Sequence, residues 1–239
     1  MIWNERKPST SKLYYGWPIV GIGFLIYGLG IAPAYYSWGF FAPEIIHELK
    51  ITRQDIGEIF GTFTLTLALT SALSAMVIKR WGLRLSVTIG ALIASIGWYF
   101  VGKASSLTEL YISYALIGGV GLGLSTLIPA QTLAVFWFKK YRARATAVIF
   151  FGAAVCGAII TPIDAIILEH ADWRTAWIYI AGISIFISAI AAVFLRNRPE
   201  EIGQNVDGEA PERDDQLALR GMQKSEEQNL IGKFLNVRQ

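Results

Sequence analysis

Six stretches of this chain contain no Lys, Arg, Asp or Glu: Leu13–Pro43, Ile59–Ile78, Leu85–Gly102, Leu110–Phe138, Ala145–Ile163 and Thr175–Leu195. Short polar segments separate them. Each stretch is close to or longer than the ~18–20 apolar residues that carry a helix across the hydrocarbon of a bilayer. No water is available there to satisfy free backbone groups, so such a run must close its hydrogen bonds within itself, as a helix does. The pattern predicts six transmembrane helices, over about 16–42, 54–78, 84–102, 108–136, 145–168 and 174–195. Thr52-Arg53-Gln54-Asp55 and Ser106-Leu107-Thr108-Glu109 read as capping boxes at two helix starts, where side chains satisfy the free amides of the first turn. Trp17, Trp81, Trp137, Trp173 and Trp177 fall near span ends, where amphipathic rings favour the interface.

Composition agrees with an all-α membrane protein. Apolar residues make up 54% of the chain and charged ones 16%, against about a quarter in soluble domains. The cations alternate in density from loop to loop. One set of segments holds Arg6, Lys7 and Lys12, then Lys79, Arg80 and Arg84, then Lys139, Lys140, Arg142 and Arg144, then Arg196 and Arg198. The opposite set holds Lys50, Arg53, Lys103 and Arg174. The positive-inside rule therefore predicts a cytoplasmic N-terminus, cytoplasmic loops after spans 2, 4 and 6, and a cytoplasmic C-terminus. Three regions follow: a cytoplasmic segment at 1–15, a six-helix domain at 16–198 and a polar tail at 199–239. Within that tail, Leu230, Ile231, Phe234 and Leu235 have the spacing of a short amphipathic helix lying on the membrane.

The net charge of +3 does not indicate a nucleic-acid partner, because the cations sit beside the membrane. The single cysteine, Cys156, lies in a span and excludes a disulfide framework. The first apolar run is too long for the core of a cleaved signal. The sequence shows no hydrolytic triad, metal-ligand spacing or nucleotide loop, and no enzyme, metal or cofactor is expected. The glycine-rich run of span 4 lacks the strand–loop–helix setting of a dinucleotide site. Glycines 118, 119, 121, 123, 152 and 157 instead allow close helix packing.

A few residues carry candidate chemistry. Pro33 removes a hydrogen bond within span 1 and predicts a kink, and kinked helices often line a central transport site. That turns attention to Tyr35 and Tyr36, whose polar tips suit a small-anion pocket; packing against neighbours or lipid is the alternative. Gln131 in the inner half of span 4 has a free amide for substrate or for a neighbouring helix. Asp164 is the only acidic residue well inside a span. A carboxylate at the bilayer centre costs about 2.5–3.5 kcal/mol, so it is a proton-carrier candidate; its place a turn and a half from the outer end, just after Pro162, leaves access to water as the alternative. His47 and His170 sit at outer edges and read as solvated.

The loop after span 2, Ala75-Met76-Val77-Ile78-Lys79-Arg80-Trp81-Gly82-Leu83-Arg84, resembles the major facilitator superfamily signature Gly-x-x-x-Asp-Arg-x-Gly-Arg-Arg. Arg80, Gly82 and Arg84 match; Ala75 replaces the first glycine and Lys79 the acid. Tyr15-Gly16-Trp17, Tyr36-Ser37-Trp38-Gly39-Phe40, Gly118–Gly123, Trp137–Arg142, Asp172-Trp173-Arg174 and Arg198–Gly203 are similar to the monocarboxylate and oxalate:formate porter branch. The resemblance implies half of a major facilitator fold, two inverted three-helix repeats. It also implies a plasma or inner membrane setting, alternating-access transport of a small organic anion, and a gating loop at Arg80, Gly82 and Arg84. Such transporters have about twelve spans, so the expected partners are a second half or a second copy. Lys79 has the wrong sign for the family's acid in that gate. No Lys or Arg lies inside spans 1–6, so these helices are expected not to transport alone. A non-transporting interaction protein or remnant, and a drug or sugar porter half, are the other readings of the same residues.

Overall fold

The computed structural model describes residues 14–208. The expected amphipathic helix near the C-terminus, and nearly all of the N-terminal segment, lie outside the described residues. Six helices are long and apolar enough to cross a membrane: α1 Gly16–Leu49, α2 Arg53–Trp81, α3 Leu83–Val101, α4 Leu107–Trp137, α5 Arg142–His170 and α6 Trp173–Phe194. The described residues form no strand. One end of the bundle carries the dense cation clusters and is called the basic end below.

The starts follow local chemistry. Thr52 and Asp55 form the reciprocal cap, with the Asp55 amide donating to Thr52 Oγ1 at 3.1 Å and the Thr52 amide to Asp55 Oδ2 at 2.7 Å. At α4 the cap is split. Ser106 Oγ accepts from the Glu109 amide at 3.3 Å, while the Glu109 carboxylate accepts from the Ser105 amide at 2.7 Å. Asp172 caps α6 through the Thr175 amide at 2.8 Å, and its bonds to Thr175 hold its carboxyl below the usual range.

Helix α1 runs seven residues further than the charge pattern suggests, because Pro43 is accommodated inside it. The carbonyl that loses its partner there belongs to Gly39, which is exposed with no side chain to crowd the ring. Pro33 has a larger effect: residues Pro33–Ser37 widen into a π-helical turn. A second π-helical stretch, Tyr111–Gly118, lies in α4. Further along, α4 breaks at Thr126, whose φ of −113° and ψ of −85° leave the helical region. Pro129 supplies no amide for the preceding turn, and the Ser125 and Thr126 hydroxyls bond back to the Gly121 and Leu122 carbonyls at 2.9 and 2.7 Å.

Packing pairs α1 with α5 and α6, α2 with α4, and α3 with α4 and α6. Exchanging helices 1–3 for helices 4–6 leaves that list unchanged, as a duplicated three-helix unit requires. Small residues set the spacing. A Cβ on Gly28 would lie 2.6 Å from both Cys156 Sγ and the Gly152 carbonyl oxygen, and one on Gly90 would lie 2.7 Å from the Gly121 oxygen. Serine hydroxyls staple α3 to its neighbours: Ser95 to the Ala181 carbonyl at 3.0 Å, Ser188 to that of Thr88 at 3.0 Å, and Ser86 to that of Leu124 at 2.8 Å. Each such interhelical bond contributes about 0.6 kcal/mol in lipid.

The tryptophans divide. Trp17 and Trp81 are exposed, as an interfacial belt requires, but Trp137, Trp173 and Trp177 are buried. They pack into the core instead: Trp173 and Trp177 belong to one hydrophobic cluster and Trp137 to another. Trp177 joins Trp38, Phe63, Trp98 and Tyr114 in one aromatic core, with Trp38 and Tyr114 stacked at 3.9 Å between centroids. At the end opposite the basic one, Arg174 pairs with Glu48 and donates to the Ala104 carbonyl at 2.7 Å. The Asp172-Trp173-Arg174 segment thus ties α6 to the end of α1 and to the loop between α3 and α4.

Candidate functional site

The widened turn of α1 sorts four consecutive residues. Tyr35 and Tyr36 are exposed, at 36% and 48%, while Ser37 and Trp38 are buried. Opening a helical turn shifts the register of side chains beyond it, and π-helical turns are frequent at functional sites. The turn is held from behind by Tyr114, in the π-helical stretch of α4, whose hydroxyl donates to the Ala34 carbonyl at 2.5 Å.

Asp164 projects from α5 into this turn. It is 2% exposed, and Ser37 Oγ donates to its Oδ2 at 2.6 Å. Close packing of α1 on α5 covers the carboxylate. Tyr36 packs along the same pair of helices, for a Cβ on Gly157 would run into its ring. Tyr35 turns towards α2, where Phe60 and Phe63 meet it edge-on at 5.3 and 5.9 Å and the Thr64 hydroxyl lies beside its phenol. Ser37 and Asp164 therefore form a pair between α1 and α5, with Tyr36 against α5 at Gly157 and Tyr35 turned towards α2.

Gln131 is exposed, and its side chain makes no hydrogen bond among the described residues. It does not join that pair. At 1.5 Å per residue, it lies about 9 Å from the basic end of α4, whereas Tyr35 lies about 28 Å along α1 from the same end. His47 and His170 are exposed. No group of His, Cys, Asp and Glu suited to a metal occurs among the described residues.

At the basic end, Gly82 turns the chain between α2 and α3 with φ of +88°, a conformation that favours glycine. Arg80 and Arg84 are exposed. Asn197, just after α6, closes the turn: its Oδ1 accepts from the Arg84 amide at 2.9 Å. Its own amide and Nδ2 donate to the two oxygens of Glu201, at 3.1 and 3.0 Å. Sequence reasoning missed Ser37 and Asn197. Each acts through a partner more than a hundred positions away, and only its polar type, within a span for Ser37 and beside one for Asn197, hinted at a role. Asn197→Ala is expected to lower stability by about 1–2 kcal/mol, since the Arg84 amide and Glu201 lose their partner; a melting curve in detergent checks this.

The segment after α6 folds back on the same end. Asp207 accepts from the Lys139 and Lys140 amides at 2.9 and 2.7 Å, and Gln204 accepts from the Tyr15 amide at 2.9 Å. Tyr14 donates to the Trp137 carbonyl, and burial pushes its phenol up to about 12.

Six paired helices with small-residue crossings and a buried carboxylate at a distorted turn define a multi-pass membrane protein. The chain matches the family model described as Major Facilitator Superfamily over residues 13–236, and it belongs to that family. It is similar to monocarboxylate transporter 4 of Mus musculus, at 25% identity over 206 residues, covering 86% of this chain and 43% of that protein. Monocarboxylate transporter 11 of Homo sapiens is 25% identical over 181 residues, or 76% of this chain and 38% of its own length. The chain thus spans about two fifths of the length of these relatives.

Proposed function

We propose that this chain forms the N-terminal six-helix half of a transporter that moves a small organic anion, of monocarboxylate or oxalate type, by alternating access. The observation that carries this reading is the Ser37–Asp164 pair, buried where the π-helical turn of α1 meets α5. Family membership supports the transport class, and the relatives' printed names support the substrate class. Tyr35 and Tyr36 offer phenol donors to a carboxylate, Asp164 carries the coupled proton, and Gln131 meets the substrate nearer the basic end. The loop at Arg80, Gly82 and Arg84 gates that end through Asn197. The distribution of cations supports a cytoplasmic basic end in a plasma or inner membrane. A cytoplasmic segment before residue 16 and a polar tail after 198 complete this arrangement.

A carboxylate crossing the bilayer needs a cation or strong donors near the midplane. The charge-free parts of α1–α6 have no Lys or Arg. The cation therefore comes from a second six-helix unit, and α1–α6 alone do not transport. Uptake of labelled lactate, pyruvate, oxalate and formate into vesicles tests this. Vesicles with the chain alone are expected to match empty ones, and co-reconstitution with a second half is expected to give uptake. Uptake by the chain alone would refute the need for a second unit.

A further inference from the structure

A cavity of about 400 Å³ opens at the basic end, between the end of α2, the last turns of α4 and the segment after α6. Its polar lining comes from Lys79, Thr132, Asn197, Arg198 and Glu201, and Ile78 and Leu83 contribute apolar wall. The volume falls within the roughly 300–1,000 Å³ of small-ligand sites. Two cations face one carboxylate, and that carboxylate is already engaged: both Glu201 oxygens accept from Asn197. Neither Lys79 nor Arg198 has an ion-pair partner among the described residues. The Arg198 guanidinium instead lies 5.0 Å from the centre of the Phe136 ring, a contact that positions its plane and leaves its N–H groups free.

We propose that this cavity binds a phosphate-type anion. An ammonium, a guanidinium and the Thr132 hydroxyl supply donors from three directions, which suits the several oxygens of a phosphate. The cavity lies at the ends of membrane-spanning helices, beside Trp81, which is 56% exposed. Basic pockets between transmembrane helices are where anionic headgroups bind, and the apolar wall suits the carbon backbone of such a lipid. Free phosphate presents the same oxygens without that backbone. The site is distinct from the Ser37–Asp164 pair, and nothing in its argument depends on transport.

The test is the thermal stability of the full chain in neutral detergent. The probes are short-chain phosphatidylglycerol, short-chain phosphatidylcholine, inorganic phosphate and lactate. Lys79 and Arg198 are exposed, so Lys79→Gln and Arg198→Gln should fold, and equal melting without probe confirms it. Phosphatidylglycerol is expected to stabilise the chain, with half-saturation about five-fold weaker in each variant. Arg144→Gln removes an exposed cation outside the cavity and should leave the midpoint unchanged. A shift with inorganic phosphate that also needs Lys79 and Arg198 supports the site with a soluble source; a shift with the lipid alone supports it with the membrane as source. Four results overturn the proposal: no shift with either phosphate probe, equal shifts with phosphatidylcholine or lactate, unchanged binding in both cavity variants, or equal loss in Arg144→Gln.

Discussion

Gly121→Leu is expected to destabilise the bundle by about 3 kcal/mol or more, at the upper end of overpacking costs. A Cβ at this position would lie 2.6 Å from the Ala94 Cα and 2.7 Å from the Gly90 carbonyl oxygen. Both neighbours are backbone of α3, so no side-chain rotation relieves the clash and the two helices must separate. Separation loses more than one contact. The Ser86 hydroxyl bonds the Leu124 carbonyl across the same interface, and Trp98 packs over Gly118 one turn away. Lipid tails are as apolar as the side chains they would replace, so nothing but close packing and polar staples holds such helices together. Gly182→Leu is the control. That glycine is exposed on α6 with no atom within 4 Å of an added Cβ, and its replacement should change stability by no more than about 0.5 kcal/mol. Melting temperatures in detergent decide the matter; equal shifts for the two variants would show that the α3–α4 approach is not what supports the fold.

The parts of this molecule that depend on lipid were legible in the sequence, because a bilayer imposes one rule on every span. Charge-free runs mark helices, and α3 and α6 fall within a residue or two of their expected bounds. The Thr52–Asp55 cap was legible for another reason: its partners are three residues apart. Helix α1 escaped the rule at Pro43 because the charges beyond it, Glu44 and Glu48, lie on helix that continues past the apolar run. The π-helical turns have no residue signature; Pro33 announced a distortion but not its form. Asp164 could be singled out by type, yet its burial depends on the rotational setting of α5 against α1, which a one-dimensional pattern leaves open. The tyrosines show the same limit, since the turn that exposes Tyr35 and Tyr36 also hides Ser37.

With a functional second half in place, Asp164→Asn is expected to abolish proton-driven accumulation while leaving substrate exchange intact. One proton moved per anion lets a one-unit pH gradient hold about a ten-fold concentration ratio, because each unit is worth about 1.4 kcal/mol. The variant should bring that ratio down to about one, the value without coupling. Asparagine is close to the carboxylate in size and keeps an oxygen to accept from Ser37, so the α1–α5 contact survives and only the proton site is lost. Stability supplies a second readout. An unpaired carboxylate inside a membrane costs about 2.5–3.5 kcal/mol on insertion scales, and Ser37 is the one hydrogen-bond partner of Asp164 among the described residues. The neutral amide should therefore melt at the same temperature as the parent or higher. A residue kept for structure alone would show the reverse, lower melting with coupling retained. Accumulation by Asp164→Asn at the parental ratio, in vesicles where the parent responds to the gradient, would remove Asp164 from the proton path and leave the carboxylate as a polar anchor between α1 and α5.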